Sequence, residues 1–167
     1  MASTKALLVL LGVSLAASST AQGGTLQAKS LQQLIDGADL IVRGQVQAVT
    51  PGPPWEGAPG TTIAISVQEQ WKGTSLSTLR LVQPQGTERG ITQEVPGLPT
   101  FRLEEEVILF VVREARGEYR VLGGKQGKFS IKTDPRSGKQ VVEDLAGAQF
   151  DLTQFVSGLR ARMKTAP

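Results

Sequence analysis

LIVRGQVQAV, residues 40–49, sets Leu40, Val42, Gly44, Val46 and Ala48 on one face of an extended chain, with Arg43, Gln45 and Gln47 on the other. Alternation with a period of two marks a half-buried strand, and a glycine within it marks a bulge or sharp bend. Residues 61–71, TTIAISVQEQW, repeat the pattern, with Ile63, Ile65, Val67 and Trp71 expected inward. Lys72-Gly73 then turns the chain into a third strand carrying Leu79, Leu81 and Gln83. Residues 105–113, EEVILFVVR, are apolar at successive positions, as in a central strand covered on both faces. Short strands at Tyr119 to Leu122, 128–132 and 140–143 follow, the last expected at an edge.

Each end of this run carries a helix. Ser30-Leu31-Gln32-Gln33 is a capping box opening a short helix with an apolar stripe of Leu31, Leu34 and Ile35, closed by Asp36-Gly37. Asp151-Leu152-Thr153-Gln154 is a second capping box. The helix after it spaces Leu152, Phe155, Val156, Leu159 and Met163 on one face. That stripe is expected to close one end of the strand assembly. Short, regularly spaced strands flanked by helices predict one small, mainly antiparallel barrel.

The 167 residues include no histidine and no cysteine. Ser-His-Asp and thiol catalysis, Cys/His zinc sites, haem and iron–sulfur ligation and disulfides are therefore excluded. No catalytic, cofactor or metal site is expected. Residues 1–21 read as a cleavable signal peptide: Lys5, then the apolar run 6–17, then Ser19 and Ala21 as small residues ahead of Gln22. The expected product is exported, periplasmic or secreted, with a flexible leader at 22–29 and one domain at 30–165. Without Lys5 the chain holds 17 basic and 15 acidic residues, a balance that gives no reason to expect nucleic acid as partner. The apolar run is also shorter than the roughly 20 residues of a membrane span, so stable membrane insertion is not expected.

SLQQLIDGADLIVRGQV, TIAISVQEQWKG, LRLVQPQG, VPGLPTFRLEEEVILFV and YRVLGGKQGKFSI, in that order, resemble a family of secreted bacterial domains of unassigned activity. More distantly, Ala38, Asp39, Gly44, Val46, Val67, Trp71, Lys72 and Gly73 resemble the netrin-like module shared with tissue inhibitors of metalloproteases. The resemblance implies an OB-type barrel. The fold class expected is therefore mainly β, a small antiparallel OB-like barrel with a short N-terminal helix and a C-terminal amphipathic helix. Those inhibitors chelate zinc through an N-terminal cysteine, which this chain lacks, so that mechanism does not carry over. The bacterial pattern also reads glycine before its Glu-Glu-Val, where Leu103-Glu104-Glu105 stands here, and a different turn is expected there.

Candidate binding residues are Trp55, Trp71, Lys72, Arg89, Glu94 and Pro96. Trp71-Lys72 is either an aromatic-cation platform or a core tryptophan before a turn. Trp55 lies in TPGPPWEGAPG, residues 50–60, expected as an irregular Pro/Gly loop. It either contacts a partner or folds back over the barrel mouth. Residues 86–100, with Arg89, Glu94 and Pro96, form either a binding rim or a structural crossover. Glu104, Glu105 and Glu106 are expected as a solvated strand start, and 123–128, GGKQGK, as a bend rather than a phosphate loop. Together these features predict a non-enzymatic binding module contacting another envelope or secreted protein through barrel-mouth loops. The alternative is a cysteine-independent protease inhibitor of netrin-like type.

Overall fold

The computed structural model describes residues 28–55, 57–115 and 117–164. The expected signal peptide, most of the leader and residue 165 lie outside the described residues. Ten strands and two helices run in the order α1 (Leu31–Gly37), β1 (Leu40–Trp55), β2 (Ala58–Lys72), β3 (Thr78–Gln83), β4 (Gly86–Glu88), β5 (Ile91–Gln93), β6 (Glu106–Arg113), β7 (Tyr119–Val121), β8 (Lys128–Thr133), β9 (Gln140–Glu143), β10 (Gln149–Asp151) and α2 (Leu152–Lys164). A single 3₁₀ turn, Gly124–Gly127, separates β7 from β8.

Strand order closes the barrel. β1 pairs with β2, β2 with β3, β3 in parallel with β7, and β7 with β6, which returns to β1. β6 shares its second edge between two partners, with Val111 to Arg113 on β7 and Glu106 to Leu109 on β8. At β8 the sheet leaves the ring and continues through β9 to β10, which turns the expected edge strand into an interior one. The sequence around Gln149 to Asp151 is too short and polar to announce that last strand.

Two cores follow from this branching. Val42, Val46, Ile63, Ile65, Leu81 and Leu109 fill the barrel. Ile41, Ile108, Phe110, Phe129 and Val142 face the other way, under Leu34 and Ile35 of α1 and Leu152 and Leu159 of α2. β6 is apolar throughout because it serves both cores. The helix α2 therefore packs on the outer sheet face beside α1 instead of closing a barrel end. Both expected N-caps form: Ser30 Oγ accepts from Gln33 N–H at 3.2 Å, and Asp151 Oδ1 accepts from Gln154 N–H at 3.0 Å.

The Pro/Gly segment at 50–60 is not irregular. β1 and β2 run on through it as one long hairpin, with Pro51 opposite Thr61, Gly52 opposite Gly60 and Trp55 opposite Ala58. β1 leaves β6 after Gln45, Val46 still exchanges bonds with Glu104 and Glu105, and beyond it no described strand pairs with the second edge, so prolines there cost no ladder bond. Gly60 permits the close approach, because a Cβ would lie 2.0 Å from the Pro53 carbonyl oxygen.

Bulges also change the face on which Trp71 sits. Between Ile41–Lys72 and Val42–Gln70 the register skips one residue of β2, and between Arg43–Glu69 and Gly44–Val67 it skips another. Ile63, Ile65 and Val67 line the barrel, whereas Trp71 packs against the outer core. The irregularity expected at Gly44 is a bulge: the register shifts between Arg43 and Gly44, and a Cβ on Gly44 would stand 2.4 Å from the Ser66 carbonyl oxygen.

Candidate functional site

One end of the barrel lies beside α1 and the other is open. At the α1 end Lys72 Nζ donates to the carbonyl oxygens of Ile35 at 2.8 Å and Asp36 at 3.2 Å. These are terminal carbonyls of α1, so the cation caps a helix C-terminus. Trp71 is part-buried beneath the same helices, and its indole Nε1 is buried with no hydrogen-bond partner.

The open end belongs to residues 84–105. Arg89 and Gly90 both have positive φ, 51° and 79°, which makes a two-residue type I′ turn joining β4 to β5 as a separate two-stranded ribbon beside β2. Further along, the strap is tied down at three carbonyls. Gly97 O accepts from Lys125 N–H at 2.8 Å, Pro99 O from Gln85 Nε2 at 3.2 Å, and Thr100 O from Lys128 Nζ at 2.6 Å. Gly124 lets the 3₁₀ turn approach, since a Cβ there would meet the Gly97 carbonyl oxygen at 2.1 Å.

Between ribbon, strap and barrel lies a cavity of about 310 Å³. Ile63, Leu98 and Phe101 line it, Thr87 and Thr92 face it from the ribbon, and Glu94, Pro96 and Lys125 stand around it. Behind it, a niche of about 240 Å³ is lined by Trp55, Val82 and Arg120. Gln83 and Leu98 belong to the walls of both.

Of the expected residues, Glu94 and Pro96 thus share the mouth cavity and Trp55 occupies the niche behind it. Arg89 sits exposed at the ribbon tip without lining either, and Trp71 and Lys72 lie at the opposite end. Gln83 was not foreseen. Its signal was a polar residue in the inward register of Leu79 and Leu81, with only 2% of its surface exposed.

Gln83 Oε1 accepts from Gln85 Nε2 at 3.0 Å, while Gln83 Nε2 is buried without a partner. The neighbouring bonds set this orientation. Gln85 Nε2 also donates to Pro99 O, so the group facing it on Gln83 must be the acceptor oxygen. The unmatched group is therefore a donor.

Below the strap, Glu105 and Glu106 are ion-paired rather than merely solvated. Glu105 Oε1 accepts from Lys128 Nζ at 2.6 Å and Ser130 Oγ at 2.7 Å, and Oε2 accepts from Arg102 N–H at 3.1 Å. Burial raises its pKa, but those hydrogen bonds and the Lys128 charge outweigh burial and hold it below the ordinary value. Glu106 pairs with Arg43 at 2.6 Å. Glu104 has φ 63°, the left-handed conformation that glycine adopts without steric cost.

No protein-family model and no curated protein matches the chain. The reading of the site therefore rests on its geometry. Among the described residues no helix is long and apolar enough to cross a membrane.

Proposed function

We propose that this chain is an exported, non-enzymatic binding module that contacts a protein partner through the open end of its barrel. The observation that supports this reading is the pair of cavities at that end, back to back and sharing Gln83 and Leu98 as a common wall. The mouth cavity combines an apolar floor with a few polar groups and has one described carboxylate in its lining, Glu94. That lining suits recognition better than two-carboxylate chemistry.

Capture from the native envelope and culture medium, with the full chain as bait and mass spectrometry as readout, tests the proposal. A protein retained by wild type and by Lys72→Met, but lost with Glu94→Ala and Trp55→Ala, is the expected result. Identical capture by all four baits overturns it. Protease inhibition is a second reading, favoured by the exposed Arg89 at the tip of a projecting ribbon. Extracellular metallo- and serine proteases assayed with wild type and Arg89→Ala decide it, and no inhibition at micromolar concentration removes it for those proteases.

A further inference from the structure

Gln83 is the feature of the mouth that its fold least requires. Burying an amide N–H without an acceptor is unfavourable, and groups left so in a folded protein call for an explanation. An acceptor brought by a ligand would supply one.

The ribbon beside the cavity says what form that ligand takes. In a two-residue hairpin Glu88 and Ile91 form the hydrogen-bonded pair, which makes Thr87 and Thr92 a non-hydrogen-bonded pair. Their hydroxyls lie 2.9 Å apart, as close side chains of such a pair should. The main-chain N–H and C=O of Thr92 consequently point away from β4, along an edge where no described strand pairs with β5. Thr92 is exposed, and so are Gln93 and Glu94 after it. An extended peptide can add along such an edge with main-chain bonds alone. The residue it sets opposite Thr92 projects to the same side as the Thr92 side chain, which is the cavity side.

We propose that the mouth binds an extended peptide segment by strand addition to β5, with one carboxamide side chain, Asn or Gln, lowered into the cavity onto Gln83. A rotation of the Gln83 side chain that brings the buried Nε2 to the cavity wall lets the carboxamide oxygen accept from it, while the carboxamide NH₂ meets the remaining lone pair of Gln83 Oε1. An aliphatic side chain leaves the buried donor unmatched. A carboxylate gives up its hydration on a rim where Lys125 is offset by Glu94. The proposal rests on the mouth as the binding surface and adds the chemistry of what enters it.

Fluorescence anisotropy of labelled peptides carrying Val-X-Val, with X as Gln, Leu or Glu, tests it on the full chain. The Gln peptide should bind at least about tenfold tighter than the other two, a difference of about 1.4 kcal/mol. Gln83→Met should erase that preference. Thr92→Pro removes the outward N–H without touching the β4 ladder and should abolish binding of all three. A Gln peptide N-methylated at X itself loses the N–H that faces the Thr92 carbonyl oxygen in antiparallel pairing, and needs no refolding control. Equal affinity for the three peptides, undiminished binding of the N-methylated peptide, or no binding at all overturns the proposal. If the peptides fail while mouth variants still lose a captured partner, strand addition is wrong and the mouth surface stands. If capture too is indifferent to those variants, both readings fall.

Discussion

Replacing Gln83 by methionine should stabilise the protein while impairing it. Methionine keeps the length and unbranched shape of glutamine but presents no donor, so the unmatched Nε2 disappears from a site only 2% exposed. Relief of an unsatisfied buried amide is worth about 1–3 kcal/mol. Against this stands the lost bond from Gln85 Nε2, 3.0 Å long, whose donor keeps Pro99 O as a second acceptor. That loss costs about 0.5–1.5 kcal/mol. The balance is a gain of about 1 kcal/mol, or roughly 3–4 °C in Tm for a domain of this size. Guanidinium unfolding of the full chain, followed by tryptophan fluorescence, reads the change as a higher midpoint at unchanged slope. A loss of about 1 kcal/mol or more would refute the reasoning, because it would mean that a fixed water or a packing role satisfies the amide. Stability held below its attainable value at a recognition site is the expected signature of a functional group.

Other changes probe the frame around the mouth. Glu105 has a folded pKa below its ordinary 4.5, so its stabilising contribution is complete above the unfolded value and is lost as pH falls through the folded one. Unfolding midpoints measured downward from pH 7 should therefore fall more steeply below about pH 4.5 for wild type than for Glu105→Gln. Glu104→Gly should stabilise by about 0.5–1 kcal/mol, since relief of left-handed strain, about 1–2 kcal/mol, exceeds the added chain entropy. Lys72→Met should cost about 1 kcal/mol through the lost α1 cap and leave peptide binding unchanged. Gly124→Ala drives a Cβ to 2.1 Å from the Gly97 carbonyl. It should lower Tm and weaken mouth binding together, read by calorimetry and anisotropy.

Where local chemistry decided the structure, the sequence could be read directly. Ser30 and Asp151 carry caps that need only their next three residues, and β1, β2, β3 and β6 show in the period of their apolar side chains. Two departures from the local pattern share one cause. Pro51 and Pro53 argued against a strand because proline cannot donate to a ladder, yet they lie where β1 has only one paired edge. Strict alternation groups Trp71 with Ile63 and Ile65, and the bulge at Gln68 shifts its face. Edge position and register are properties of the neighbouring strand, not of the strand being read.

The candidate site divides the same way. Glu94 and Pro96 could be picked out as belonging to a long polar excursion, but Trp71 and Lys72 turned out to serve the helices at the other end. The register of Leu79 and Leu81 turns Gln83 inward, but nothing local says whether a glutamine ending a strand is sealed there or reaches solvent. Gln83 becomes a buried donor only because the strap at Gly97 to Thr100 folds over it and Gln85 takes up its oxygen. The sequence by itself determined the strands, the helix caps, the absence of thiol and imidazole chemistry and a barrel closed without disulfides, because periodicity and composition are carried by each segment alone. Only the tertiary structure decided which barrel end is open, which face Trp71 takes and where a hydrogen bond is left unmade. Those depend on which distant segment arrives as neighbour.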